Sequence, residues 1–288
     1  MTSRREFLKT SALVSAGLLA APSLFAYDKK YIGLQLYTVR DAMGKDAAGT
    51  LARVAEIGFN SVEATYGEGK YYGTDPKVFA QLIKQNNLIA PSAHYLLGEE
   101  AKSQGTLLNG WDKAADDAAS IGQKFMICAW LSPNERGSLD HYKKLADDFN
   151  RAGEISKKAG LQFCYHNHDF EFIQENGKYP YEILLENTDK NLVKFEIDLY
   201  WLTRAGQDPV ALIDKHPGRF PLWHVKDMDR TEKKMFTEVG NGVVNFKRIF
   251  EHTKKAGLKY FFVEQDICPG DPFNSITQSI SYIKKNLV

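Results

Sequence analysis

The sequence predicts an α/β fold consisting of one (β/α)8 barrel, and three observations predict it. Short runs rich in β-branched and aromatic residues alternate with longer segments of helical period, and eight such pairs can be counted. No G-x-G-x-x-G follows the first strand, which removes the main trace of an open doubly wound sheet. Residues 27–288 have a length that α/β barrels reach as one domain.

The predicted strands are residues 32–37, 61–64, 89–94, 125–129, 162–165, 193–198, 222–225 and 260–263. Helices fill the gaps. In "DAAGTLARVAEIGFN", Leu51, Val54, Ala55 and Ile57 recur at helical spacing and Gly58 ends the helix before the next strand. "AGEISKKAGLQF" and "EHTKKAGLKYFF" repeat this helix, glycine, strand order at Gly160 and Gly257.

Residues 1–26 are set apart from the fold as a signal segment. Arg4 and Arg5, followed by Phe7, Leu8 and Lys9, precede a charge-free apolar run from Ala12 to Ala26, and the order resembles a twin-arginine export signal. The run is too short to favour a membrane span. Export to the periplasm is therefore expected, with an uncleaved segment acting as a membrane anchor as the alternative, because Leu24 sits where a small residue favours cleavage. Lys plus Arg is 37 against Asp plus Glu 36, and losing three basic residues and one acidic residue with the signal takes the net charge from +1 to −1. Such a balance gives no reason to expect nucleic acid as a partner. Cys128, Cys164 and Cys268 show no C-x-x-C spacing and read as packing residues.

In a barrel the C-terminal ends of the strands meet at one rim, where chemistry is placed. Those ends read, in order, Gln35, Glu63, His94, Trp130, His166 with His168, Asp198, His224 with Lys226, and Glu264 with Asp266. "KFEIDLYW" places Asp198 on the parity of Glu196, opposite Phe195 and Ile197. Burying an ionisable group after an apolar strand is costly without a partner, and a shared cation would satisfy several at once. A strand-end Asp also caps helices, and a lone His often satisfies a local hydrogen bond, so the joint pattern carries more weight than any one residue. Carboxylate and imidazole from strands five to eight suit one divalent ion. Without thiolate, the set leans to manganese (Mn2+) first and zinc (Zn2+) second.

"YHNHDFEF", "DLYW" with "AGQDP", "HVKD", "VGNGVVNF" and "VEQD" make the chain after the signal resemble the xylose isomerase-like TIM barrels, in particular an exported, Bacteroidetes-type sugar phosphate isomerase/epimerase branch. The resemblance implies a divalent metal held by Asp198, His224 and Glu264 with one ligand from strand five. There the epimerases carry a glutamate that also exchanges the substrate's proton, whereas this sequence offers His166. Alternation turns His166 and His168 to the rim and Asn167 away. His166 is the expected ligand, and His168 a partner of the substrate or of a ligand. Glu171 reads equally as a loop carboxylate without a role.

The activity so implied is that of a sugar isomerase or epimerase: the metal binds adjacent oxygens of a free sugar or keto-sugar and stabilises the enediolate formed when a proton leaves the carbon beside the carbonyl. A histidine in place of the second glutamate weakens the case for symmetric epimerisation and opens a lyase or dehydratase on a 3-keto-sugar or 3-keto-glycoside as the alternative. A non-catalytic periplasmic sugar-binding barrel is the alternative of another class. Glu264, His168 and Lys226 are the expected acid and base groups, Lys226 as a donor to a developing oxyanion unless it only pairs with Asp227. Gln35, Glu63, His94 and Trp130 are expected to bind substrate, and Tyr37, Tyr66, Trp130 and Trp201 to offer the ring an apolar face. The expected partner is a small sugar, unphosphorylated because no glycine-rich cradle or arginine cluster ends the last two strands. No nucleic acid and no membrane beyond the signal segment is expected, and a homo-oligomer stays open. The endonuclease branch of the family would need more histidines than the seven present, three of which fall in or beside predicted helices.

Overall fold

The computed structural model describes residues 31–99 and 103–288, so the signal segment read at 1–26 lies outside the described residues. Eight parallel strands close on themselves: β1 (Gly33–Gln35), β2 (Ser61–Gly67), β3 (Ile89–Tyr95), β4 (Phe125–Cys128), β5 (Gln162–His166), β6 (Val193–Asp198), β7 (Leu222–Val225) and β8 (Tyr260–Val263). Closure is made by β1, which pairs with β8 through Gly33 and Phe262 and with β2 through Gln35 and Glu63. The last three strands keep their predicted bounds. The first is shorter than expected, because Leu36–Val39 turns into a 3-10 helix capped by the Gln35 side chain, which accepts from the Tyr37 N–H. Tyr37 is thereby lifted out of the strand and exposed.

The helices follow from the patterns that predicted them. Ala47–Ile57 buries Leu51 and Val54 and stops at Gly58, which is left-handed. The 20-residue helix Leu139–Lys158 buries Tyr142, Leu145, Ala146, Phe149 and Ala152 at helical spacing against the sheet. Outward-facing strand residues such as Phe163, Phe195, Ile197, Trp223 and Phe261 join this outer core. A second, smaller apolar group, Phe125, Ile127, Cys164, Leu222 and Phe262, belongs to the alternate positions of the same strands and plugs the barrel. The three cysteines are free, with Cys128 and Cys164 buried. Among the described residues no helix is long and apolar enough to cross a membrane.

"VGNGVVNF" proves to be a structural loop wound around one carboxylate. Asp227 accepts from the backbone N–H groups of Met228, Gly240, Gly242 and Val244 at 2.8 to 3.1 Å. A Cβ on Gly242 would lie 2.2 Å from the Met228 carbonyl oxygen, and one on Gly240, at φ +95°, 2.2 Å from the Tyr282 ring. Glycine is what lets the loop close on Asp227.

Candidate metal centre and active-site cleft

The plug at the barrel's base leaves room above it for polar side chains. Inward parity on β5 to β8 delivers His166, then Glu196 and Asp198, then His224 and Lys226, then Glu264 and Asp266. One ligand atom each from His166, Asp198, His224 and Glu264 lies within 4.8 Å of the others, and all four residues are buried. His166 Nε2 is 3.3 Å from Asp198 Oδ2, and His224 Nδ1 is 2.9 Å from Glu264 Oε2.

Two of these side chains, His166 and Asp198, are held by a partner that leaves one donor atom for the cluster. His166 Nδ1 lies 3.0 Å from the Ala129 carbonyl, which only accepts, so Nδ1 carries the proton and Nε2 offers its lone pair. Asp198 Oδ1 accepts from the Trp201 N–H at 2.9 Å, capping Leu199–Arg204, while Oδ2 faces the cluster. Capping and clustering therefore coexist in one carboxylate. The Asn167 side chain accepts from the Asp198 N–H at 3.0 Å and fixes the strand end. This mixed oxygen and nitrogen set, buried and pre-oriented, fits a divalent ion.

A cation already sits on two of these carboxylates. Lys226, 1% exposed, places Nζ 3.0 Å from Asp198 Oδ2, 2.6 Å from Glu264 Oε2 and 3.0 Å from Asp266 Oδ1. The alternative that Lys226 only pairs with Asp227 is thus set aside: Asp227 is occupied by backbone donors. Burial disfavours the ammonium, but Asp198, Asp266 and Glu264 outweigh it and hold Lys226 charged, well above its usual range. Burial likewise opposes ionisation of Glu264 and Asp198, yet Lys226 beside both brings each carboxyl below the usual range.

Above the cluster opens a cleft of about 650 Å³ lined by His166, His168, Glu264, Lys226, Asp266, His94, Arg40, Tyr37, Trp130, Trp201 and Phe236, among others. Three of the four expected aromatic faces reach it, namely Tyr37, Trp130 and Trp201. Tyr66 does not: it is buried and donates to Asp117 at 2.6 Å. The expected hydroxyl binders divide in the same way. His94 and Trp130 line the cleft, whereas Gln35 and Glu63 are fully buried and do not line it. Gln35 Nε2 donates to Glu63 Oε1 at 2.8 Å, and Ser92 donates to Glu63 Oε2. Their place on inward parity is right; their depth puts them below the floor.

His168 stands apart from the ion cluster and faces the cleft, its ring stacked on Phe170 at 14° and 5.2 Å from the Trp201 ring. Burial, then the neighbouring His166 and Lys226, push its pKa well down, so the imidazole is neutral, and Nδ1 has no hydrogen-bond partner. Glu171 has a role after all. Its two oxygens accept from the Tyr165 hydroxyl at 2.6 Å and the His168 N–H at 2.9 Å, which braces the loop carrying His168.

Burial raises the Glu171 carboxyl to about 7 from a usual 4.5. The folded protein keeps this proton where the unfolded chain has lost it, so the contribution to stability is full below pH 4.5 and declines as pH rises to 7. Glu171→Gln is expected to remove that slope, worth roughly 3 kcal/mol. Urea unfolding of both proteins between pH 5 and 8 checks it; parallel curves would contradict the buried acid.

A family model for the xylose isomerase-like TIM barrel matches residues 51–286. The chain belongs to this family. A sugar phosphate isomerase/epimerase from Parabacteroides distasonis ATCC 8503 superposes with a TM-score of 0.78 at 28% identity, over 89% of this chain and 98% of that one. An inosose dehydratase from Geobacillus thermodenitrificans is 24% identical over 267 residues, 82% of this chain and 88% of the relative. A xylose isomerase-like TIM barrel protein from Mycobacterium smegmatis, in complex with magnesium, shares the fold at a TM-score of 0.69 and 17% identity, over 91% of this chain and 98% of that one.

Within this xylose isomerase-like barrel, sequence reasoning missed Glu196, Ser92 and Arg40. Glu196 had a visible signal, since it lies two residues before Asp198 between outward-facing Phe195 and Ile197, and a charge at an inward strand position needs a partner. Arg40 had none. It reaches the cleft because the 3-10 turn after β1 brings its Nη1 to the carbonyls of Tyr37 and Asp266, at 2.9 and 3.0 Å.

Proposed function

We propose that the protein is a divalent-metal-dependent enzyme of the sugar isomerase and epimerase type, removing a proton beside the carbonyl of a free sugar or keto-sugar. The observation that carries this reading is that the buried His166, Asp198, His224 and Glu264 set, which reaches the cleft through His166 and Glu264, meets there two non-ligand groups of opposite kind, neutral His168 and charged Lys226. When bound there, manganese or zinc would supply Lewis acidity towards the carbonyl and an adjacent hydroxyl. His168 offers an imidazole lone pair to the C–H beside the carbonyl, and its neutrality keeps that lone pair available at neutral pH. Lys226 offers an N–H to the oxygen on which charge develops. Trp130, Trp201 and Tyr37 give the ring apolar faces and exclude water. Export, read from residues 3 to 26, supports an unphosphorylated substrate.

Elimination is the second reading, favoured by the inequality of the two flanks. Asp266 lines the cleft beside Lys226, and burial raises its carboxyl although Lys226 works against this. A group of this kind can protonate a leaving hydroxyl or alkoxyl, which suits a lyase on a 3-keto-sugar or 3-keto-glycoside. Incubation with free and 3-oxidised sugars in deuterium oxide separates the readings by mass spectrometry. Deuterium in recovered sugar or its isomer supports the isomerase, loss of water or aglycone supports the lyase, and neither, with tight sugar binding, would leave a non-catalytic barrel.

The two histidines give a further expected outcome. His166→Ala is expected to lose the bound ion, and His168→Ala to keep it while losing about a hundredfold or more of turnover, the usual share of a general base. Elemental analysis beside the exchange assay checks this, and ion loss in His168→Ala instead would reassign the ligand on β5.

A further inference from the structure

Next to the first cluster lies a second convergence, of which the catalytic reading uses only His224. Glu63 on β2, His94 on β3, and Glu196 and His224 on β6 and β7 each offer one atom to a four-membered ring of donors. Its edges are short. His94 Nε2 lies 3.0 Å from Glu63 Oε1 and 2.9 Å from Glu196 Oε2, and His224 Nε2 lies 2.7 and 3.2 Å from the same two oxygens.

Hydrogen bonding accounts for only part of this arrangement. Each Nε2 carries at most one proton yet faces two carboxylate oxygens, so two N–H groups serve four edges. Moreover, Glu196, fully buried, turns Oε2 into the ring and leaves Oε1 with no hydrogen-bond partner. A cation within the ring would draw on two imidazole nitrogens and two carboxylate oxygens, a donor set that zinc takes, and Glu196 could add its orphaned oxygen. The outer partners of a ligand set are also in place, since Gln35 and Ser92 both donate to the Glu63 carboxylate.

We propose that Glu63, His94, Glu196 and His224 form a second divalent-cation site inside the barrel, with His224 shared between the two sites, Nδ1 towards Glu264 and Nε2 towards Glu63 and Glu196. A transition metal of the zinc type is the chemistry it fits, because two imidazoles exclude calcium and disfavour magnesium. Filling both sites would release to solvent the Nε2 proton of His94 and the ring protons of His224, whose two nitrogens face one site each. The site does not depend on the reaction proposed above, and loss of one site is distinguishable from loss of the other.

The test is zinc stoichiometry of the purified protein, saturated with zinc chloride and desalted, together with anomalous diffraction at the zinc edge. Two zinc ions per chain are expected for the native sequence, and one each for Glu196→Leu and Asp198→Asn, with the anomalous peak between Glu63 and Glu196 missing only in the former. Glu196→Gln, which keeps the side chain's shape, guards against misfolding and is expected to weaken the same peak. A native protein that takes one zinc, with no density between Glu63 and Glu196, would overturn the proposal, as would a Glu196→Leu protein that still takes two.

Discussion

Asp198→Asn is expected to lose the divalent ion of the His166, Asp198, His224 and Glu264 set while keeping the fold. An asparagine oxygen still accepts from the Trp201 N–H, so the cap on Leu199–Arg204 survives. What disappears is the negative charge at Oδ2, which faces His166 at 3.3 Å and Lys226 at 3.0 Å. Loss of an outer-shell partner alone costs ten- to a hundredfold in metal affinity, and a direct carboxylate donor is worth more. Turnover should fall by about a thousandfold or more if the proposed chemistry holds, since the ion and its orienting charge go together. Asp198→Ala is the harsher variant: it strips the cap as well and leaves Lys226 one partner short, a change that costs about 3 to 5 kcal/mol in a buried pair. Elemental analysis with circular dichroism distinguishes the two. An Asp198→Asn protein that binds the ion with native affinity would remove Asp198 from the ligand set.

Lys226→Met is expected to move ion affinity and turnover in opposite directions. The ammonium lies against Asp198 Oδ2 and Glu264 Oε2, two of the four atoms that converge in the cluster. An incoming divalent ion competes with it for those oxygens, and Lys226 retains Asp266 at 3.0 Å as a place to go. Methionine preserves length and apolar packing near the Trp201 and Phe236 rings but removes the competitor. Each charge-assisted hydrogen bond contributes about 1.5 to 3 kcal/mol, so affinity should rise by roughly tenfold or more. Turnover should drop by about a hundred- to a thousandfold, the usual cost of losing an oxyanion donor. Isothermal titration with manganese and the exchange assay read the two quantities separately. A parallel fall in both would make Lys226 a brace for the carboxylates and nothing more.

The nine residues of "CYHNHDFEF" show how sequence and structure divide the information. Alternation correctly separates His166 and His168 from Asn167, and the structure gives Asn167 a backbone to hold rather than a ligand to bind. Nothing in the string distinguishes Glu171 from an idle loop carboxylate, because its partners, the Tyr165 hydroxyl and the His168 N–H, meet it only when Phe170–Phe172 turns as a 3-10 helix. "VGNGVVNF" was legible as a family trait, while its cause, a carboxylate ringed by backbone donors, required the loop to return to Asp227.

The sequence by itself determined the order of strands and helices, the inward and outward faces of each strand, and the residue types that could share an ion. These are local properties: a period of two sets which side of a strand faces the barrel, and propensity with end signals sets where elements begin and stop. Only the tertiary structure decided depth. Gln35 and Glu63 share inward parity with the residues of the cleft yet lie under its floor, and Glu196 reaches the inner ring although it precedes Asp198 by two positions. Depth depends on the stagger between neighbouring strands, such as Gln35 beside Glu63, Glu63 beside Ser92 and Asp198 beside His224. That stagger is fixed when the barrel closes with its tilt and shear, through pairings between segments far apart in the chain.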